Sequence, residues 1–121
     1  MNRHRKSLVI QTLAEAQACV KQQEWERAWE KLSEAHIYSQ PIAFLHVIVH
    51  FEMLKLGFKT RDLKEIRGQI LRLLLAAPGS VFGHFPKGNT GRSNVSAFEE
   101  MEVPEPIRQR LVDAEKKMRH E

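Results

Sequence analysis

Residues 24–57, EWERAWEKLSEAHIYSQPIAFLHVIVHFEMLKLG, decide the fold. Trp25, Ala28, Trp29, Leu32 and His36 recur at the three- and four-residue steps of one helical face, over about 24–37. Glu26, Glu30 and Glu34 take other directions, mostly toward solvent. Ser39-Gln40-Pro41 then breaks the period, because proline disfavours a helical residue before it and suits the first turn of a helix after it. From 42 to 57 the residues Ile42, Phe44, Leu45, Val47, Ile48, Val49, Phe51 and Leu54 leave hardly a polar side. A helix apolar nearly all round needs cover on several sides, so this one is expected at the centre of the domain, with Gly57 as its stop.

Outward from that pair, residues 7–22 place Val9, Leu13, Ala16 and Val20 on one helical face, with Ser7 as a capping residue. Asp62 opens a fourth helix with Glu65 three residues on, a capping-box-like pair. Its apolar side reads Leu63, Ile66, Ile70, Leu73, Leu74 and Ala77, and Pro78-Gly79 ends it. Residues 78–103 show no period, and a connection that long is usually functional or disordered. Phe82, Phe85, Val95 and Phe98 give it apolar anchors, so a packed, ordered loop is expected. A last helix spans 104–119 on the stripe Ile107, Leu111, Ala114 and Met118. The predicted fold is therefore all-α: a four-helix core at 7–77 made of two antiparallel αα-hairpins, a long Gly/Pro loop and a C-terminal helix, forming one domain over 1–121. The stretch KQQEWERAWEKLSEA resembles the second helix of a tetratricopeptide-type repeat, and KTRDLKEIRGQILRLLL aligns with it only loosely, so the likeness is one of packing.

Composition excludes several function classes. With 121 residues, 42% apolar and 28% charged, the chain suits one globular domain and neither a disordered nor a fibrous one. No window holds the 18 or more apolar residues of a membrane span, and the basic start MNRHRKSLVI lacks a secretory apolar region. Cys19 is the single cysteine, cannot staple the fold, and reads as a small buried hydrophobe in a cytoplasmic protein. Arg61, Lys64 and Arg72 share a helix face, but Glu65 interrupts it and the net charge of +4 is mild, which argues against nucleic acid and for a solvated face.

Three histidines carry the functional reading. His46 and His50 lie four residues apart on one face of the third helix, in line with Met53 and Gly57. His36 closes the stripe of the second helix, and His36 and His46 stand about equally far from the turn at Gln40-Pro41, hence level in an antiparallel hairpin. His50 comes one turn further on, roughly 5–6 Å by helix rise. Neutral imidazoles that converge suit zinc, copper, nickel or iron, and an ion makes the neutral rings the preferred form. The run His46-Val47-Ile48-Val49-His50 lacks the glutamate of zinc peptidases. Met53, Gln69 and His84 are candidate further ligands or outer groups. The plainer reading of each histidine is a core-edge ring bonded to a carbonyl or carboxylate.

Residues 83–90, GHFPKGNT, have the outline of a phosphate-binding loop, but Asn89 stands where the lysine must be and no strand precedes it. The glycines instead supply positive φ and tight turns, closed by Asn89 and Asn94. The sharper reading makes Gly88, Asn89, Thr90 and Gly91 a lid or wall over the histidines; the plainer and favoured one is a packed structural loop.

Together the run His36-Ile37-Tyr38-Ser39-Gln40, then His46, His50 and Met53-Leu54, then Gly68-Gln69 before Arg72, resembles a bacterial family of small helical proteins of unknown function. The loop Pro86-Lys87-Gly88-Asn89-Thr90-Gly91, with Val95-Ser96 and Met101, extends the resemblance over nearly the whole chain. It implies a shared role for His36, His46, His50 and the loop at 88–91; Ser39 stands where glycine is common in the family. It brings no established activity, and an association with heavy-metal-resistance neighbourhoods in bacterial genomes, which favours a metal.

The expectation is a soluble protein that holds a transition metal on His36, His46 and His50, for buffering, sensing or delivery. A hydrolase or oxygenase using an open coordination position is the weaker form, since no general base is identifiable. The alternative is a helical module for a protein partner or a second copy of the chain, with structural histidines.

Overall fold

The computed structural model describes residues 3–81 and 86–119, and every regular element among them is a helix: α1 (Arg3–Lys21), α2 (Trp25–Ser39), α3 (Ala43–Lys59), α4 (Leu63–Val81) and α5 (Glu105–Arg119). Phe82, His84 and Phe85 lie outside the described residues. No described helix is long and apolar enough to cross a membrane.

Helices α1 and α2 form one hairpin and α3 and α4 a second, with α5 laid along α1. The two intra-hairpin turns share a construction. Gln23 and Arg61 take left-handed φ values of 59° and 56° just past α1 and α3. Glu24 N–H then reaches back to the Cys19 carbonyl and Asp62 N–H to the Gly57 carbonyl, each at 2.9 Å. These are Schellman closures, which satisfy carbonyls that a helix end leaves unpaired. Gly57 is therefore not the stop of α3; the cap falls at Thr60 and Arg61. Asp62 Oδ1 accepts the Glu65 N–H at 3.1 Å and starts α4 as expected. Ser7 lies inside α1 rather than at its start, and α4 runs through Pro78-Gly79 to Val81.

The core lies between the hairpins. Val9, Ala16 and Cys19 of α1 meet Ala28, Trp29, Leu32 and Ala35 of α2 and Leu45, Val49, Met53 and Leu56 of α3, all buried. Ile107 and Leu111 of α5 pack against this cluster. Arg5 of α1 crosses to the end of α2 and donates to the Tyr38 carbonyl at 2.7 Å. Glu34 is buried too, against the solvent-facing expectation, because Lys31 pairs with it at 3.5 Å, the Tyr38 hydroxyl donates to it at 3.1 Å, and Arg110 of α5 pairs with it.

The expectations about apolar surface hold in part for α3 and fail for α4. Helix α3 has cover on several sides, from α1, α2 and α4, but Phe44, Ile48, Phe51 and Phe58 are exposed. On α4 the buried side is polar, with Glu65, Gln69 and Arg72 turned inward and Leu63, Ile70 and Leu74 outward. The reason is the loop. Residues 91–95 of the ordered loop lie against α4, and Glu65, Gln69 and Arg72 supply polar partners to the backbone of Gly91, Ser93 and Val95. Phe98, expected as an anchor of that loop, is 75% exposed.

Candidate metal centre

His36 comes from the first hairpin and His46 and His50 from the second, so the three rings meet where the hairpins face each other. Their centroids lie 4.6–4.9 Å apart. His36 Nε2 is 3.0 Å from His50 Nε2 and 3.0 Å from His46 Nε2. The rings are buried, at 3%, 6% and 3% exposure for His36, His46 and His50.

Hydrogen bonding on the far side of two rings fixes their protons. His36 Nδ1 is 2.7 Å from the Asn89 carbonyl oxygen, which can only accept, so Nδ1 carries the hydrogen. His50 Nδ1 is 2.7 Å from Gln69 Oε1. The Gln69 amide cannot be turned over, because its Nε2 donates to Glu65 Oε2 at 3.1 Å and to the Gly91 carbonyl at 2.8 Å. His50 Nδ1 is therefore the donor as well. A neutral imidazole has one N–H, so the facing Nε2 atoms of His36 and His50 both present lone pairs with no hydrogen between them. Burial, then the charges of His50 and His46, hold His36 well below its ordinary pKa of 6.5. Burial pushes His50 down to about 4, with Arg72 adding to the shift and the Gln69 bond opposing it.

The loop supplies the roof. Gly88 and Gly91 have φ of +76° and +80°, where glycine carries no steric penalty. A Cβ on Gly91 would stand 2.6 Å from the His36 ring, so only glycine lets the chain pass this close. Asn89, 2% exposed, ties the turn by accepting the Gly91 N–H at 2.8 Å and donating to the Ser96 and Glu99 carbonyls at 2.9 and 2.8 Å.

Of the residues singled out in the sequence, His36, His46, His50, Gln69, Asn89 and Gly91 come together. Gly88 instead donates its N–H to Gln40 Oε1 at 3.2 Å. The Thr90 hydroxyl accepts the Arg92 N–H at 3.4 Å. Met53 is fully buried in the hydrophobic core, and His84 lies outside the described residues. Arg72 is no part of a solvated basic face: it is 8% exposed and donates to the Gly68 and Val95 carbonyls at 3.1 and 2.6 Å.

Three supporting residues escaped the sequence reading. Gln40, 2% exposed, donates to the Pro86 carbonyl at 2.8 Å and pins the start of the loop. Glu65, 3% exposed, accepts Arg92 Nε at 2.6 Å and the Ser93 N–H at 3.2 Å, besides the Gln69 amide. Arg92 also stacks over Trp29 at 3.9 Å. The signal available for Glu65, Gln69 and Arg72 was a four- and three-residue spacing of polar groups on α4, opposite its leucines.

No curated protein and no solved structure matches the chain. The model of a family described as protein of unknown function (DUF3703) matches residues 3–111, which takes in all three histidines and the glycine loop, and the chain belongs to that family.

Proposed function

We propose that the protein binds one transition-metal ion, zinc, copper, nickel or iron, through the Nε2 atoms of His36, His46 and His50, and serves to buffer, sense or deliver it. The observation that carries this reading is the 3.0 Å approach of two imidazole lone pairs with no proton to share. A neutral His46 can donate its Nε2–H to His36 Nε2 at 3.0 Å, but the His36–His50 contact itself is repulsive unless a cation stands among the nitrogens. A proton could do so, but burial and the Arg72 charge oppose an imidazolium here. An ion instead makes a coordinate bond to each ring and uses the neutral form that burial already favours. Imidazole donors suit these four metals, and tetrahedral donors at 2.0–2.1 Å from an ion lie roughly 3.3 Å apart, near the 3.0 Å from His36 Nε2 to each of the other two Nε2 atoms, while the three donor atoms lie within 4.8 Å of one another.

The outer groups fit the same reading. Ligating histidines commonly donate their other N–H to a carbonyl or an amide that holds the tautomer, as Asn89 and Gln69 do. Binding is favoured over turnover because Glu65, the carboxylate linked to the site through Gln69, is already engaged by Arg92 and Ser93. A second reading, a helical interaction module, rests on the exposed apolar residues of α3 and α4.

A titration of metal-free, untagged protein with each of the four ions tests the proposal. One equivalent is expected to bind with sub-micromolar affinity, and His36→Ala and His50→Ala are expected to abolish that binding. Failure of every ion to bind, or equal binding by both variants, would overturn it.

A further inference from the structure

The outward face of the second hairpin is built for helix packing. On α3, Phe44, Ile48, Phe51, Lys55 and Phe58 are exposed and recur at alternating four- and three-residue steps. On α4, Leu63, Arg67, Ile70 and Leu74 do the same. This is the spacing of a coiled-coil seam, not of a solvated face. The two seams are also in register. The turn lies near Arg61, so Phe58 is level with Leu63, Lys55 with Arg67, Phe51 with Ile70 and Ile48 with Leu74. Four layers thus run side by side, three of them apolar and one cationic. Arg67 makes no ion pair among the described residues, while Lys55 is paired with Glu52 at 3.3 Å.

The seven apolar seam residues are 40–73% exposed. At about 200 Å² for a whole large side chain, they present roughly 800 Å² of apolar surface. One partner in a standard protein interface contributes about 800 Å². A monomer rarely leaves so large a contiguous apolar patch in water.

We infer that this face pairs with a second copy of the chain, hairpin against hairpin, to form a four-helix bundle. The cationic layer selects the orientation. A two-fold axis along the helices would set the turns at the same end, α3 over the partner's α4, and bring two lysines and two arginines into one layer. An axis across the helices sets the turns at opposite ends and lays α3 antiparallel on α3. With the axis at the Phe51–Ile70 layer, each cationic layer then meets the partner's Ile48–Leu74 layer, where long aliphatic stems pack and charged heads reach the rim. Phe58 stands over the partner's Phe44. The His36–His46–His50 cluster lies on the opposite side of α3, so the pairing is independent of metal binding.

Sedimentation equilibrium of the full chain over a range of micromolar concentrations tests this, with Phe51→Glu/Ile70→Glu beside the wild type. The wild type is expected at twice its 14.1 kDa and the double variant at 14.1 kDa with unchanged helical circular dichroism. Orientation is read by mild oxidation of cysteine variants that keep every other seam residue. An equal mixture of Phe44→Cys and Phe58→Cys is expected to give disulfide-linked dimers, and Phe58→Cys alone is not. A wild type that stays at 14.1 kDa throughout would overturn the pairing, and binding of that monomer to phosphatidylserine vesicles would reassign the face to a membrane surface. Disulfide-linked Phe44→Cys/Phe58→Cys dimers support the pairing even where the double variant does not fold; their absence from a dimeric wild type would overturn the orientation.

Discussion

At the residue scale, Gln69 has the most to explain, because one amide settles the proton of His50. Its two N–H bonds to Glu65 and Gly91 leave the oxygen for His50, and His50 must then face the cluster with a lone pair. Gln69→Leu keeps the volume and removes that acceptor, so metal affinity is expected to fall tenfold to a hundredfold in a competition titration. Unchanged affinity would show that His50 is not oriented from behind. Gly91→Ala adds a Cβ 2.6 Å from the His36 ring at a φ of +80°. A loss of about 2–3 kcal/mol is expected from the urea midpoint, since the ring is held by Asn89 and cannot step aside. His50 also sets a pH dependence. An unfolded histidine gains its proton near 6.5, whereas folded His50 resists until about 4. The metal-free protein should therefore keep its full stability above about pH 6.5 and lose it as pH falls toward 4, by about 3 kcal/mol from this residue. Urea unfolding across that range should show the slope in the wild type and a shallower one in His50→Gln, where buried His36 still resists its proton.

Elements were legible where a period and a break coincide, and their faces were not. The alternation of Trp25, Trp29, Leu32 and His36, followed by Pro41, located α2 and α3 and put His36 level with His46, with His50 one turn further on. The inward side of α4 was misread because hydrophobicity points outward there. Glu65, Gln69 and Arg72 turn inward to serve a loop that comes more than twenty residues later in the chain, and no local pattern carries that partner. Helix ends were misjudged for a related reason: the left-handed position after α3 is filled by Arg61, not by the nearby Gly57. A non-glycine residue there costs about 1–2 kcal/mol, part of which glycine gives back as chain entropy. Arg61→Gly is accordingly expected to stabilise the protein by about 0.5–1 kcal/mol in chemical denaturation, and a destabilised variant would contradict the cap assignment.

At the scale of the whole molecule, two hairpins and a loop each bring something the others lack. The first hairpin contributes His36, the second His46 and His50, and the loop closes over them with Asn89 and Gly91. The triad could be read from spacing alone because three histidines fell near one turn. Part of the support was legible too, in Gln69, Asn89 and Gly91, whereas Gln40, Glu65 and Arg92 were not, since they act across long stretches of chain. An ion joining both hairpins would bind the folded chain and not the unfolded one, so metal at a thousand times its dissociation constant should add about 4 kcal/mol of stability. The most direct measurement is elemental mass spectrometry of untagged protein as purified, beside a His46→Ala/His50→Ala variant. The account predicts close to one equivalent of zinc, copper, nickel or iron in the wild type and none in the variant. A metal-free wild type that also takes up none of these ions when they are added would contradict it and leave the histidines as packing residues.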